Sequence, residues 1–282
     1  SVSAGYRHTC VLTHANEIKC WGENDNGQLG TGDTAQLGDG TGNAVSALSA
    51  IDVGEGLHVI RMDAGNEITC AVLSDESVKC WGNNSDGQIG YSDISPDALL
   101  PPDTGITNLT PWRRANELRS GYYHSCALLD DGRMKCWGQN ANGQLGIGDT
   151  NIRGDEAGEM GADLPAVNLG NYDVLKFIMG GNHTCAILDD HQIRCWGSNA
   201  YGQLGLGLNP DPGEPGGNSS FTNLGDEVGE GLALSLYSVD LGDDAQAREI
   251  SLGHDFTCAI FDDAEAEGRV KCWGQNNYGQ LG

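Results

Sequence analysis

Short runs in which apolar and polar side chains alternate recur along the chain in pairs, as in Ser125-Cys126-Ala127-Leu128-Leu129 followed by Arg133-Met134-Lys135-Cys136-Trp137. A period of two belongs to β-strands, whose successive side chains point to opposite faces. The residues between these two runs, Asp130-Asp131-Gly132, have turn chemistry. The same pair of runs returns around Ala15-Asn16, Ser74-Asp75, Asp189-Asp190 and Asp262-Asp263, so the pattern predicts five hairpins. In the second strand of each, Ile18, Val78, Met134, Ile193 or Val270 shares a face with the cysteine two positions on. A basic residue and a tryptophan take the other face.

Each second strand opens an eleven-residue phrase, Cys-Trp-Gly-x-Asn-x-x-Gly-Gln-(Leu/Ile)-Gly, starting at Cys20, Cys80, Cys136, Cys195 and Cys272. A phrase repeated at this spacing marks one supersecondary unit stacked on copies of itself. The shared residues are therefore expected to build the fold, and specificity is expected where the copies differ. Asn-x-x-Gly is read as a tight turn, since glycine takes positive φ and asparagine bonds its own backbone. The tryptophans Trp21, Trp81, Trp137, Trp196 and Trp273 are expected to fill the gaps between units, each N–H finding a partner; a ligand cage is the alternative.

All ten cysteines fall into the same arrangement, Cys10 with Cys20, Cys70 with Cys80, Cys126 with Cys136, Cys185 with Cys195, and Cys258 with Cys272. Each pair would face across a hairpin, which predicts five local disulfides. Structural zinc and free thiols are the other readings, but zinc favours closer Cys-x2-4-Cys pairs and redox centres favour Cys-x-x-Cys. Closing a loop of this size stabilises by about 2.8 kcal/mol in the chain-entropy model. Oxidised cysteines imply an extracellular, periplasmic or lumenal setting.

The third copy carries Gly121, His124, Ser125, Cys126, Ala127, Leu128, then Asp131-Gly132, then Cys136-Trp137-Gly138-x-Asn140-x-x-Gly143-Gln144-Leu145-Gly146. This pattern resembles the repeats of the regulator-of-chromosome-condensation family. The resemblance implies an all-β β-propeller, usually of seven blades, with five blades here that form a closed ring, an open arc or part of a larger propeller. Blades are assigned around residues 1–30, 64–90, 120–146, 180–205 and 252–282, with acidic connectors at 31–63, 91–119, 147–179 and 206–251, in one repeat domain. Paired cysteines set the chain beside the secreted branch of that family, similar to crinkly-type receptor ectodomains.

Charge narrows the choice of partner. Fifteen basic residues against forty acidic give a net charge of -25, which opposes binding to nucleic acid or anionic membranes. The family's nuclear exchange-factor and chromatin roles are for that reason not carried over. No segment approaches a membrane span of about 20 apolar residues. The chain opens at Ser1 without a basic and apolar leader, so any signal peptide is expected to have been removed or to lie outside these residues. A basic residue precedes the second cysteine in each copy, at Lys19, Lys79, Lys135, Arg194 and Lys271. Its stem is expected along the tryptophan, with the charge wet or acid-paired; a ring for an anionic ligand is the alternative. His8, His124 and His183 alternate with Ile68 and Phe256 in the other copies, which argues for packing over catalysis.

The connectors carry the variation. Gly154-Asp155-Glu156-Ala157-Gly158-Glu159-Met160 parallels Gly225-Asp226-Glu227-Val228-Gly229-Glu230-Gly231, and both are read as exposed acidic loops. Asp155, Glu156 and Glu159, or Asp226, Glu227 and Glu230, are weak candidate ligands for calcium, the one cofactor the sequence suggests. The phrases Leu164–Gly170 and Leu236–Gly242 are read as an additional strand of their blades. Arg153-Gly154-Asp155 matches an adhesion tripeptide by letter. Sequons at Asn83, Asn108, Asn182 and Asn218 are glycosylation candidates, the second and fourth in long connectors.

No Gly-x-Ser-x-Gly elbow, Gly-Lys-Ser/Thr phosphate loop or His-Glu-x-x-His pair occurs, and the chain is read as non-enzymatic. The expected function is an extracellular or cell-surface scaffold for protein or glycan contacts, self-assembly into a layer or filament included. The alternative is a secreted inhibitor of an enzyme, acting through rim loops.

Overall fold

The computed structural model of the chain describes residues 1–40, 45–91, 107, 109, 113–206, 223–227, 230 and 238–282. The candidate sites Asn108 and Asn218 lie outside the described residues, as does the Pro- and Gly-rich stretch 210–217. Five antiparallel sheets follow one another along the chain. They comprise β1 Val2–Ala4, β2 His8–Leu12 and β3 Ile18–Gly22; β4 Val59–Ala64, β5 Ile68–Leu73 and β6 Val78–Gly82; β7 Ala115–Ser120, β8 His124–Leu129 and β9 Met134–Gly138; β10 Val174–Met179, β11 His183–Leu188, β12 Ile193–Ser198 and β13 Asn223–Leu224; and β14 Gln246–Leu252, β15 Phe256–Asp262 and β16 Arg269–Gly274. Each is a propeller-type blade, with strands in sequence order from one edge to the other.

Two compact units hold these blades. Residues 1–139 with 152–165 contain the first three, and residues 140–151 with 166–282 contain the fourth and fifth. The expected hairpins are β2–β3, β5–β6, β8–β9, β11–β12 and β15–β16. In each the two cysteines stand directly opposite, for example Cys126 against Cys136. All ten are bonded as five local disulfides with Cα atoms 4.1 Å apart. The hairpin turns place Asn16, Glu76, Gly132 and His191 at positive φ, the left-handed residue that closes such a turn.

The additional strand is not where the sequence phrase suggested. Residues 164–170 form no strand, and the strand that leads each later blade comes just after them, as β10 does at Val174–Met179. Pro165 has no N–H to give a ladder. Leu164, Val167 and Leu169 are all buried, so this segment packs as an irregular strap. The parallel phrase begins outside the described residues. Its Val239 N–H makes one bond to the Ile193 carbonyl at 2.9 Å, as Ile51 does to Ile18 and Thr107 to Val78. The strands β4, β7, β10 and β14 thus start within the connectors.

Packing within the first unit explains the two apolar faces. Trp81 of the second blade joins Cys10, Cys20, Ile18 and Leu29 of the first in one buried cluster. Trp137 of the third joins Cys70, Cys80, Val78 and Ile89 of the second. A disulfide face on one blade is covered by the tryptophan face of the next, so strands such as β6 and β9 are buried at every position.

Candidate interaction surface

The repeated phrase is spent on joining blades. The main-chain carbonyl of Gln28 accepts the Trp81 indole N–H at 3.1 Å and the Thr69 hydroxyl at 2.8 Å. Gln88 does the same for Trp137 and Ser125, Gln144 for Trp196 and Thr184, and Gln203 for Trp273 and Thr257. The glutamine side chain closes its own turn, Oε1 of Gln144 accepting the Asn142 N–H at 2.9 Å, while Asn140 Oδ1 accepts the Leu145 N–H at 3.0 Å. The other asparagine oxygens, of Asn24, Asn84, Asn199 and Asn276, make the same bond. The tryptophan N–H in four copies and the asparagine oxygen in all five are thus used within the structure.

The histidines belong to the same joints. His8 Nε2 meets Thr69 Oγ1 at 3.0 Å and His183 Nε2 meets Thr257 Oγ1 at 3.0 Å. Burial pushes the pKa of His8 down to about 4 and that of His124 to about 3. A neutral buried imidazole exchanges naturally with Ile68 and Phe256 of the other blades.

Three of the five basic residues, Lys79, Lys135 and Lys271, reach main-chain carbonyls of the connectors, and Lys271 is exposed. Lys135 is buried, and its ammonium donates to the Leu109 carbonyl at 3.0 Å and the Gly161 carbonyl at 2.6 Å, tying both flanking connectors to the third blade. Burial lowers its pKa. Lys79 reaches the Val53 carbonyl and Lys271 that of Asp240. Arg194 is acid-paired, to Asp190 at 2.8 Å.

The acidic loops hold carboxylates against their own backbone. Glu159 Oε2 accepts the N–H groups of Gly154 and Glu156 at 3.0 and 3.1 Å, and Glu230 Oε2 accepts those of Gly225, Asp226 and Glu227 at 2.8 to 3.1 Å. Asp155 and Glu230 have pKa values raised first by burial and then by the neighbouring carboxyl, Glu159 and Asp226 respectively. A carboxylate satisfied by backbone N–H groups is a poor metal ligand. Among the described residues no group of three acids, histidines or cysteines could hold a metal ion. Of the calcium candidates Asp155, Glu156, Glu159, Asp226, Glu227 and Glu230, Glu159 and Glu230 cap their own loops in this structure. The adhesion tripeptide is likewise tied down, because Arg153 pairs its backbone with Gly138 at the edge of the third blade.

These loops also explain a glycine. A Cβ on Gly87 would stand 2.7 Å from the Asp155 nitrogen, and one on Gly143 2.5 Å from that of Asp226, so each loop lies across the preceding Asn-x-x-Gly turn. Of the described sequon residues, Asn83 donates to Glu67 at 2.7 Å and Asn182 accepts from Gln144; both are half-buried. Exposed positions in this connector include Ala157, at which the parallel phrases differ, and Ala162 and Asp163 between the phrases, while the exposed Glu156 is shared with Glu227.

Sequence reasoning passed over a set of tyrosines. Tyr6 and Tyr122 stand at the same place in the loops β1–β2 and β7–β8, with ring centroids 6.1 Å apart, and Tyr123 lies 6.2 Å from Tyr122. The usable signal was position: they precede the buried residue that opens the next strand, where the repeat permits change.

The profile of the Regulator of chromosome condensation (RCC1) repeat matches residues 1–28, 59–88, 118–144 and 179–203. The ultraviolet-B receptor UVR8 of Arabidopsis thaliana is 28% identical over 281 residues, all of this chain and 54% of that protein. The chain thus spans about half of that relative's length. Among solved structures, yeast RCC1 (Prp20) bound to Kap60 superposes with a TM-score of 0.72 at 21% identity, over 100% of this chain and 57% of that one. The ectodomain of the Arabidopsis thaliana receptor kinase ACR4 does so with a TM-score of 0.52 at 17% identity, over 97% and 68%. Four segments match this repeat, each ending at a glutamine whose main-chain carbonyl accepts a tryptophan N–H, so the chain carries RCC1-type repeats.

Proposed function

We propose that the chain is an extracellular, non-enzymatic scaffold that makes protein contacts through its connectors. The observation that carries this reading is the division of labour in each repeat. The shared residues are consumed in blade-to-blade joints, and the exposed variation sits in segments such as 151–163, held in place by Glu159 and by the Lys135 contact to Gly161. Rigid frames with variable loops suit recognition. Five disulfides with no free cysteine favour an oxidising location. That the yeast relative was crystallised with a protein partner adds support of a general kind.

Cross-linking of the oxidised protein on its native surface, followed by mass spectrometry, tests this. Cross-links from partner proteins are expected at Asp163 and Glu156, and replacing Glu156, Ala157, Ala162 and Asp163 together by serine should remove them. Retention of every cross-link in that variant would refute the connectors as the contact surface. Free thiols in protein isolated without reductant would refute the location.

A further inference from the structure

At one end of the first unit the loops β1–β2, β4–β5 and β7–β8 are bonded side by side. The Tyr6 N–H donates to the Gly65 carbonyl at 3.3 Å, and the Asn66 N–H to that of Gly121 at 3.1 Å. This arrangement lines up Tyr6, Tyr122 and Tyr123 with tilted rings, Tyr6 58% exposed. Between their loops sits Asn66, whose amide oxygen is buried without a hydrogen-bond partner.

Two carboxylates at this end are held by neutral amides. Glu67 Oε2 is fixed by two neutral amides, Asn83 Nδ2 at 2.7 Å and Asn26 Nδ2 at 3.2 Å. Asp86 accepts the side-chain amide of Gln139, whose backbone N–H bonds the Tyr123 carbonyl. Neither carboxylate makes an ion pair among the described residues, and both belong to loops and turns bonded to those that carry the tyrosines. Arg7 already exhibits the matching chemistry. Its guanidinium lies 5.2 Å from the Tyr6 ring centroid while it pairs with Glu23 at 3.0 Å. A cation over a tyrosine face with a carboxylate alongside is a favourable arrangement.

We propose that the surface of Tyr6, Asn66, Glu67, Asp86, Tyr122 and Tyr123 docks a basic segment of a partner protein, with arginine or lysine side chains on the tyrosine rings and against Glu67 and Asp86. This rests on the scaffold reading above and adds to it a second contact surface, separate from the connectors, with a defined partner chemistry.

Titration calorimetry of the oxidised chain with a synthetic arginine-serine nonapeptide tests it. Tyr6→Ser and the double variant Tyr6→Ser/Tyr122→Ser should weaken binding progressively, the double by about five- to tenfold. Glu67→Gln should weaken it about threefold or more. The charge-matched Asp243→Asn, an exposed residue outside this surface's loops, should stay within about twofold of the parent, the size of a general screened-charge effect. Glu67→Gln leaves the tyrosines in place, so it decides the matter if the double variant does not fold. An absent interaction with the parent chain, an unchanged Tyr6→Ser affinity, or an equal loss in Asp243→Asn would overturn the proposal. Cross-links at the connectors would be untouched by any of these results, so the scaffold reading stands or falls separately.

Discussion

The Trp137 indole N–H donates to the main-chain carbonyl of Gln88 at 3.0 Å, and that same oxygen also takes the Ser125 hydroxyl at 3.2 Å. One carbonyl at the end of the second blade is thus held by two side chains of the third. Trp137 is fully buried. Trp137→Phe should cost about 2–3 kcal/mol, from the lost bond and the volume removed, and Trp137→Ala about 3–5 kcal/mol. Ser125→Ala alone should cost about 1 kcal/mol. The double variant Trp137→Phe/Ser125→Ala should exceed the sum of its parts, because only then is the buried carbonyl left bare. Urea unfolding of the four proteins measures the coupling, and simple additivity would show that the two donors act independently.

Two glycines of the same phrase separate backbone strain from close approach. Gly143 and Gly202 have nearly equal φ, 75° and 76°. A Cβ on Gly143 would meet the backbone of Gly225 and Asp226 at 2.5 to 2.9 Å, whereas none of the described atoms lies within 4 Å of one on Gly202. Gly202→Ala should therefore cost only the left-handed conformation, about 1–2 kcal/mol. Gly143→Ala should cost more, because the acidic loop must lift off the turn. Hydrogen exchange at Gly225 and Asp226 should accelerate in the second variant alone.

Glu76 closes the turn between β5 and β6 at φ 72°, the place that Gly132 fills between β8 and β9 at φ 81°. A side chain in this conformation is strained, and the ion pair of Glu76 with Arg114 is solvent-exposed and contributes little. Glu76→Gly should stabilise the protein by about 0.5–1 kcal/mol, while Gly132→Ala should destabilise it by about 1 kcal/mol. Opposite shifts of the thermal midpoint are the expected readout. Shifts of the same sign would place the control of these turns elsewhere.

Much of this architecture was legible because it is written five times. A single Cys-x9-Cys spacing says little, but its recurrence with turn residues at the middle fixed the hairpins, and the structure sets Cys126 opposite Cys136 as the pattern required. The leading strands were harder to read. Val174–Met179 runs Val-Leu-Lys-Phe-Ile-Met, with a register shift between Val174 and Lys176 that leaves Leu175 exposed, so its period of two is broken. The segment Leu164-Pro165-Ala166-Val167, with Leu164 and Val167 buried, imitates a strand by composition while its one proline removes a donor. The role of Lys135 was not legible, since its partners Leu109 and Gly161 are carbonyls, 26 residues away on either side, and a carbonyl leaves no mark on side-chain identity. The tyrosine surface was missed for a similar reason: Tyr6 and Tyr122 meet across blades, and only topology brings them together.

The buried histidines give the fold a direction of pH dependence. His8 has its folded pKa pushed by burial from 6.5 down to about 4, so between these values the unfolded chain binds a proton that the folded chain does not. Its contribution to stability is complete above pH 6.5 and is lost as pH falls toward 4; His124, pushed to about 3, acts in the same sense. Asp63 opposes them. It accepts the Ser3 hydroxyl at 2.9 Å and the Ser120 N–H at 2.8 Å, yet burial raises its pKa, so its share favours the folded state at low pH and is lost as pH rises through its raised folded value. The net slope therefore mixes signs, and a difference between variants isolates one group. His8→Phe is suited to this, because Phe256 occupies the equivalent place in the fifth blade, and Thr69 keeps its bond to the Gln28 carbonyl. The stability lost between pH 6.5 and 5 should be smaller in His8→Phe than in the parent by about 1–2 kcal/mol. Urea midpoints at the two pH values measure it. Parallel losses in both proteins would mean that His8 is protonated in the folded state and that its bond to Thr69 survives the charge.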